Sequence, residues 1–298
     1  MSSMIKIFYH IYCIETTEII VQDQINKIIF SGLYQKVETI FCFLIGETKY
    51  IESITQLLGR NGKKFKIGAF GYDNPTYKKI LEFNKNIVIP TDPIWLDQEA
   101  NQNPYERFTL LLIKQFINPT DKILYIHSKG VTRSSNNKNQ RLQISFRDTV
   151  FPVFNSVEDK NVIDWRNCME YFLICNHDKC IQLLDEYDTV GINYNIYPLP
   201  HYSGNFWWTT AKYYNTLPDM IDYSDNINPE LYIFKANPKY KCIFSTGLHS
   251  IVSYALECPM IKYIDNTEQS IQIDDQYSNI FDMCIKTREQ IFVNHLDT

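Results

Sequence analysis

The sequence predicts an α/β fold: a Rossmann-type mixed, mostly parallel sheet flanked by helices, in a single domain. Short apolar runs rich in β-branched and aromatic residues alternate with longer segments of helical spacing, and glycine or proline separates the two. This alternation favours parallel strands joined by right-handed helical crossovers. The length of 298 residues is sufficient for one large domain of this class.

The first half of the chain supplies four predicted strands, at residues 5–12, 39–45, 65–70 and 123–126. Helices are predicted between them, at residues 19–29, 47–58, 74–83 and 105–117. Thr16 and Thr17 cap the first helix and Gly32 ends it, whereas Gly59 is expected to end the second.

The second half has a different pattern, with one long amphipathic helix at residues 164–184 and a strand at 187–194. Order is expected to resume at residues 230–235, and further segments follow at 245–256 and, as a helical tail, at 277–295. We therefore divide the single domain, residues 1–298, into a first half (1–130), a second half (131–260) and a C-terminal helical tail (261–298).

Composition excludes several classes of protein. Apolar residues make up 45% and charged residues 21% of the chain, which is typical of a globular rather than a disordered protein. The net charge of -5 argues against nucleic acid as a partner. The sequence has no signal peptide pattern, no apolar run that could cross a bilayer and no CxxC pair among its eight cysteines, so we expect a reducing, cytoplasmic location.

The fourth predicted strand ends abruptly in His127, Ser128, Lys129 and Gly130. In open α/β sheets, ligands bind at the carboxyl edge, so Lys129 would be a fixed positive charge able to hold a phosphate. Gly130 would let the backbone turn close to the ligand. The alternative is a strand end followed by a solvated basic loop. Residues 131–139, which are all polar apart from Val131, form either a lid over the cleft or a plain surface loop.

His10 and Tyr12 close the first predicted strand, where a nucleotide base could stack or form hydrogen bonds. Their alternative role is that of partly buried residues at a strand end. Glu230 follows Pro229 at a predicted helix start, and it is either a general base that deprotonates an acceptor hydroxyl or a residue favoured there by the helix dipole. His249 either contacts a diphosphate or is a satisfied polar residue.

The stretch HYSGNFWW at residues 201–208 is the second unusual one. Gly204 permits close backbone approach, and Asn205 offers both a donor and an acceptor. If the stretch is extended, Trp207 and Trp208 point to opposite faces of the sheet, so that one is core and the other is available to stack on a sugar ring. The alternative is that both tryptophans pack in the core.

Together these motifs resemble nucleotide-sugar-dependent glycosyltransferases of the GT-A type. Three ordered matches carry the resemblance: YERFTL at 105–110, ILYIHSKG at 123–130, and HYSGNFWW at 201–208 after a strand containing DTVG at 188–191. Similar combinations occur in poorly characterised glycosyltransferase-like proteins of bacteria, algae and large DNA viruses. The matched region spans residues 5–233, most of the chain.

The resemblance implies a GT-A-like sheet with the donor at the carboxyl ends of its first and fourth strands. The residues that it assigns to the donor are His10, Tyr12, Tyr105, Thr109, His127, Lys129, Gly204, Asn205 and His249. The residues that it places toward the acceptor are Tyr202 and Trp207 or Trp208. The expected partners are a nucleotide-sugar donor and a glycan, protein or small-molecule hydroxyl acceptor.

The sequence departs from this family where most GT-A enzymes carry Asp-x-Asp as ligands of a divalent metal. His127, Ser128 and Lys129 occupy that slot. Mg²⁺ and Mn²⁺ prefer oxygen ligands, so the substitution disfavours a metal cofactor. Lys129, with Arg133 or His249, would then stabilise the leaving diphosphate directly. We expect weak or absent metal dependence and no dedicated metal ligands.

The sequence therefore predicts a hexosyltransferase-like enzyme that moves a sugar from a UDP- or GDP-sugar to a hydroxyl, with Glu230 and Lys129 as catalytic residues. The alternative is a sugar-nucleotide or glycan-binding module that has lost catalysis together with its Asp-x-Asp. A dinucleotide oxidoreductase is disfavoured, because no GxGxxG follows the first strand.

Overall fold

A computed structural model describes residues 3–71, 106–128, 142–146, 149–154, 159–196, 199–219, 228–246 and 263. The strands are β1 (Ile5–Cys13), β2 (Val37–Gly46), β3 (Phe65–Gly71), β4 (Lys122–His127), β5 (Leu142–Phe146), β6 (Thr149–Phe154), β7 (Thr189–Gly191), β8 (Tyr194–Asn195), β9 (His201–Tyr202), β10 (Trp207–Thr210) and β11 (Tyr240–Cys242). The α-helices are α1 (Thr17–Phe30), α2 (Leu33–Lys36), α3 (Thr48–Asn61), α4 (Arg107–Ile113), α5 (Asp159–Glu170), α6 (His177–Leu183), α7 (Ala211–Tyr214) and α8 (Asn228–Leu231). A π-helix (Tyr171–Cys175) joins α5 to α6, and a 3₁₀ turn (Tyr232–Phe234) follows α8.

Seven strands form one sheet in the order β11-β7-β10-β4-β1-β2-β3. The pairs β1 with β2, β1 with β4, β2 with β3 and β7 with β11 are parallel, whereas β10 is antiparallel to both of its neighbours. The predicted mixed, mostly parallel sheet flanked by helices is therefore confirmed. Two short antiparallel ribbons, β5 with β6 and β8 with β9, accompany it.

The central strands β1 and β4 are apolar over most of their length because helices cover both faces of the sheet, and their polar residues are Lys6, His10, Lys122 and His127. Side chains alternate along β1, so that Ile7, Tyr9 and Ile11 enter one core cluster while Phe8 enters the other. The first cluster is closed by α1, α3, α5 and the π-helix, and the second by α4, α7 and the 3₁₀ turn. The same alternation along β4 places Tyr125 in the second cluster, so His127, two residues later, projects on that face as well.

Four predicted elements need correction in their bounds. The helix predicted to end at Gly59 continues to Asn61, because a single glycine is tolerated inside a helix, and the chain leaves the helix at Gly62 with φ +137°. The single long helix predicted at residues 164–184 is α5, the π-helix and α6 in series, with Asn176 outside helical geometry. The helix predicted at 105–117 is shorter, as α4, and the strand predicted at 187–194 is divided into β7 and β8.

Several predicted segments lie outside the described residues: the helix at 74–83, the polar loop at 131–139, most of the segment at 245–256 and the tail at 277–295. Within the described residues, no helix has both the length and the apolar character needed to cross a membrane.

Candidate functional site

The polar residues of the candidate site lie where the strand order of the sheet reverses. Strands β1, β2 and β3 follow one another towards one edge of the sheet, whereas β4 lies on the opposite side of β1. Ligands of open α/β sheets bind beyond the carboxyl ends of the strands at such a reversal. His10 and His127, which face each other in the parallel register of β1 and β4, stand at these carboxyl ends.

His10 is buried against the first turns of α4. Its Nδ1 lies 2.9 Å from the hydroxyl oxygen of Thr109, which is itself fully buried. Burial lowers the pKa of His10 to about 4; the Glu106 carboxylate opposes this shift and the neighbouring His127 adds to it. His10 is therefore a neutral ring at neutral pH, and it forms part of the wall beneath the site.

His127 joins the end of β4 to two other segments of the chain. Its Nε2 lies 2.9 Å from the carbonyl oxygen of Gly204. Its Nδ1 lies 3.4 Å from the Oε1 of Glu106. The edge of its ring also packs on Phe206, with the ring centroids 5.0 Å apart. One imidazole thus connects β4, the start of α4 and the loop before β10.

Glu106, the residue before α4, is the carboxylate at the centre of this group. Its Oε2 accepts a hydrogen bond from the phenol of Tyr125 at 3.1 Å and another from the side-chain amide of Asn205. The Asn205 carbonyl in turn accepts from the indole N–H of Trp207 at 2.9 Å. The Glu106 side chain keeps 18% of its surface exposed, so this carboxylate is the part of the network that solvent reaches.

The loop that presents Gly204 and Asn205 is a tight turn. The Asn205 N–H donates to the Tyr202 carbonyl at 3.1 Å, and Gly204, the third residue of the turn, has φ +92°. A type II turn needs such a left-handed residue in its third position, which glycine adopts without strain. Asn205 is also left-handed, at φ +55°, a conformation that asparagine tolerates better than most residues.

A second polar chain supports the site from below the sheet. Gln24 on α1 donates to the His127 carbonyl at 3.2 Å and to the Glu170 carboxylate at 2.7 Å, and it accepts from the Tyr9 phenol. Glu170 is fully buried and also accepts from Lys27 at 2.5 Å. The backbone at the end of β4 is therefore bonded from both faces of the sheet.

A partly open cleft of about 300 Å³ lies at the same edge of the sheet, on the side of α1 and α3. It is formed by the segment that follows β1 and by the first turns of α3, with Glu15, Glu18, Lys49, Tyr50 and Ser53 among its lining residues. The Ser53 hydroxyl donates to Glu18 at 2.5 Å, and the Lys49 amine lies 4.4 Å from the centre of the Tyr50 ring. The cleft combines acidic, basic and aromatic groups, as polar small-molecule sites do.

The family to which the chain belongs can now be stated from comparison with known proteins. A family model described as Domain of unknown function (DUF8361) matches residues 8–254, which is most of the chain. The chain belongs to this family. No curated protein and no solved structure matches the chain.

In this member of the DUF8361 family, the fold brings several sequence-predicted residues together. His10, Thr109, His127, Gly204 and Asn205 come from β1, α4, β4 and the turn before β10, and all of them meet at the strand-order reversal. Tyr12 lies beside them, since its backbone N–H donates to the Ser128 hydroxyl at 3.0 Å.

Glu230 lies in the first turn of α8, as predicted, after a buried Pro229. Helix α8 packs against β9, the strand that leads into the turn from Tyr202 to Asn205. Tyr105, Lys129 and His249 lie outside the described residues.

The predicted acceptor contacts of the aromatic residues need correction. Trp207 and Trp208 do point to opposite faces of the sheet, but each is fully buried in a different core cluster. The Trp208 indole donates to the Leu173 carbonyl at 2.8 Å, and Tyr202 is also fully buried. Neither indole nor Tyr202 offers a ring face to an acceptor, because covering the sheet on both sides uses these rings as packing.

Gly204 also has a different role from the predicted one beside a sugar. A Cβ at this position would lie 2.4 Å from the sulfur of Met169 and 3.2 Å from the indole nitrogen of Trp165. The glycine is therefore required for close packing against α5, and its carbonyl, rather than an open approach to the ligand, is what it contributes to the site.

Sequence reasoning missed the central carboxylate. Glu106 stood inside the YERFTL match without a role, since nothing in a single sequence shows that an acid at a helix start will meet a strand end and a distant turn. Gln24 did leave a signal: it is a polar residue on the buried face of α1, which also carries Val21, Ile25 and Ile28.

The described residues contain no group of three or more His, Cys, Asp or Glu side chains that could hold a metal ion. Three side chains of metal-binding type are close in sequence: Cys175, His177 and Cys180. Two of them bond to backbone carbonyls instead: the His177 Nδ1 donates to Ile174 at 2.9 Å, and the Cys180 thiol donates to Phe172 at 3.4 Å.

Proposed function

We propose that this protein is a glycosyltransferase that moves a sugar from a nucleotide-sugar donor to a hydroxyl acceptor. One observation carries the proposal. The first and third of the segments on which the resemblance to GT-A enzymes rests contribute residues that are 99 positions apart, yet all three segments share one network: Glu106 from the first, His127 from the second and Asn205 from the third. The polar groups that these segments bring together lie at the edge where open α/β sheets bind ligands, which supports a binding role for them.

The same edge offers room for a nucleotide. The cleft of about 300 Å³ beside β1 is within the size range of small-molecule sites. In the proposed complex, the nucleoside occupies this cleft and the diphosphate lies toward the end of β4. Tyr12 is two residues before Ile14, which lines the cleft, and its backbone N–H donates to the Ser128 hydroxyl beyond β4 at 3.0 Å, so its backbone connects the two places.

The proposed reaction relies on protein groups rather than on a resident metal. The residues that follow Ile126 are His127, Ser128 and Lys129, where related enzymes carry acidic metal ligands. A leaving diphosphate needs positive charge, which Lys129 would supply as a point charge and His127 through its ring. Glu230 remains the proposed base, because α8 packs beside the strand that enters the turn.

The alternative, a binding module without catalysis, is favoured by one feature of the site. The polar side chains of Glu106, His127 and Asn205 bond to one another, an arrangement that gives a rigid recognition surface but does not itself identify a base. A donor-binding function would need no more than this.

A thermal-shift screen of UDP- and GDP-sugars, with Mn²⁺, with Mg²⁺ and with chelator, tests the proposal. We expect at least one donor to raise the melting temperature in the presence of chelator, and release of the nucleoside diphosphate when an acceptor is added. Loss of turnover in Glu230→Gln with unchanged donor binding would support the assignment of the base. Binding without turnover on any acceptor would favour the module, and absence of a shift with every sugar nucleotide would refute both.

A further inference from the structure

We propose that Glu106 holds His127 as an imidazolium, and that this pair makes the binding of an anion at the carboxyl end of β4 dependent on pH. The protonation of His127 is a property of the protein alone. The binding of the anion rests on the proposed function, because the anion is then the diphosphate of the donor.

The hydrogen-bond geometry of His127 fixes one proton. The Nε2 atom lies 2.9 Å from the Gly204 carbonyl oxygen, and a carbonyl can only accept, so Nε2 carries a hydrogen. A neutral ring with this tautomer would have an unprotonated Nδ1. That atom lies 3.4 Å from the Oε1 of Glu106, and an unprotonated ring nitrogen this close to a carboxylate is repelled by it. A second proton on Nδ1 turns this repulsion into an ion pair.

Two neighbouring side chains fix the position of the Glu106 carboxylate. Tyr125 and Asn205 both donate hydrogen bonds to its Oε2. Burial, and then the Glu106 charge, raise the pKa of Tyr125 well above its usual value, so the phenol remains a donor at any pH of interest. These two donors hold the carboxylate beside the His127 ring, with its Oε1 at 3.4 Å from the His127 Nδ1.

The titratable groups that the structure describes near His127, other than Glu106, do not replace this pair. His10, its neighbour on β1, is neutral at neutral pH because burial lowers its pKa to about 4. Tyr125, on the same strand, is uncharged, with its ring centroid 6.4 Å from that of His127. From the opposite side, Gln24 contacts the His127 carbonyl through a neutral amide. Among the described residues that contact His127, Glu106 is the one with a full negative charge.

The net charge of the pair explains the expected pH dependence. With His127 protonated, the pair is neutral. Deprotonation of His127 leaves the Glu106 charge uncompensated at a partly exposed position, and this charge repels an anion. Anion affinity should therefore fall as pH rises through the titration of His127, whereas a structural role of Glu106 alone would leave affinity independent of pH.

The first experiment is an NMR titration of the ligand-free protein with ¹⁵N- and ¹³C-labelled histidine, in the wild type and in Glu106→Gln. In the wild type at neutral pH, both ring nitrogens of His127 should be protonated, and this measurement needs no variant. In Glu106→Gln the titration midpoint should fall by about 1–3 pH units, because an opposite charge within a few ångströms has been removed. Glu186→Gln, which removes an equal charge from an exposed ion pair with Lys239, is the matched control and should leave the midpoint unchanged. A neutral His127 ring in the wild type, or the same midpoint in Glu106→Gln and wild type, would overturn the proposal.

The second experiment measures pyrophosphate and UDP binding by calorimetry between about pH 5.5 and about pH 9. In the wild type, the dissociation constant should rise by about tenfold across the titration of His127. In Glu106→Gln the inflection should move to lower pH with the NMR midpoint. Binding that does not change with pH would overturn the second part of the proposal. An imidazolium found by NMR without any anion binding would leave the pair supported and would count against the glycosyltransferase function instead.

Discussion

Replacement of Lys27 by methionine should destabilise the protein much more than a surface charge substitution does. Lys27 donates hydrogen bonds to Glu170 at 2.5 Å, to Asp23 at 2.7 Å and to Asn167 at 2.7 Å. Glu170 has no exposed surface, and its other carboxylate oxygen accepts from Gln24. Methionine keeps the length of the lysine stem but leaves the buried carboxylate without its closest positive charge.

The magnitude follows from the burial of the two partners. Breaking a fully buried ion pair by removing one partner costs about 3–5 kcal/mol, because the remaining charge is uncompensated. The Lys27 side chain is 24% exposed, and Arg166 remains 3.6 Å from the Glu170 carboxylate, so solvent and this second cation reduce the effect. We expect a loss of roughly 2–4 kcal/mol in the free energy of unfolding at neutral pH. For a chain of this length, that is a fall of about 5–15 °C in melting temperature.

The pH dependence of this loss is the specific signature. Burial raises the pKa of Glu170, while Lys27 and Arg166 oppose that shift, so removing Lys27 raises the pKa further. The folded state then holds a proton on Glu170 that the unfolded state has already released. Stability therefore falls as pH rises through the folded-state pKa, and the difference between variant and wild type should be larger at about pH 8 than at about pH 5.

Chemical denaturation of the wild type, Lys27→Met, Glu170→Gln and the double variant at these two pH values measures the effect. Lys36→Met is the control, since its ion pair with Asp178 lies on the surface, and we expect it to change stability by less than about 1 kcal/mol. The double variant should recover part of the loss. If Lys27→Met matches Lys36→Met, or if its cost does not depend on pH, Glu170 does not carry a buried charge and the reasoning is wrong.

Two further predictions test the packing and the protonation of the site residues. Gly204→Ala should lower the free energy of unfolding by about 1–3 kcal/mol, because the added Cβ would meet Met169 and the φ of this residue is left-handed. Gly59→Ala is the control: this glycine has open space around it on α3, so the change should be neutral or stabilising by up to about 1 kcal/mol. Equal melting curves for the two variants would contradict the close packing of Gly204. His10 has a folded-state pKa of about 4, below its usual 6.5, so the free energy of unfolding should fall by up to roughly 3 kcal/mol as the pH drops from the higher value to the lower. His10→Gln should reduce this dependence of stability on pH. An unchanged dependence in the variant would show that another group causes it.

The sequence was sufficient for the fold because its strands carry their own signal. Buried parallel strands are apolar over their whole length, so β1, β2, β3 and β4 stood out as runs of isoleucine, leucine and phenylalanine. The weaker predictions were those that depend on partners. Strand β7 has only three residues, and its pairing with β10 and β11 stabilises it. No local pattern in the sequence separates it from the two-residue β8 that follows, so the two strands were predicted as one.

The break in the second half could not be read from periodicity for a similar reason. Residues Tyr171–Cys175 keep an apolar pattern that suits a continuous helix, but they adopt the wider π geometry. The outcome depends on how Phe172 stacks on Phe244, with ring centroids 4.4 Å apart, and on the Trp208 indole that donates to the Leu173 carbonyl. Both partners are distant in sequence, so the local signal could only indicate a helix.

The site residues were predicted where the chemistry of a strand end was enough, and they were misassigned where burial decided the role. His10 and His127 could be placed at one edge of the sheet from the ends of the predicted strands, whereas Asn205 was placed there only by the resemblance to GT-A enzymes. The aromatic residues could not, because whether a tryptophan faces a ligand or a helix depends on which elements cover each face. Trp207 and Trp208 are both covered, one in each core cluster.

This coupling of core and site has a consequence for how the site keeps its shape. Gly204 is pressed against Met169 and Trp165 on one side, and its carbonyl holds His127 on the other. A larger residue in the core at position 169 would displace the turn, and with it the carbonyl that accepts from the His127 Nε2 and the amide that holds Glu106. The proposed charge state of His127 therefore depends partly on packing under the sheet. A substitution of Met169 that leaves the protein folded but alters the titration of His127 would be the direct evidence for it.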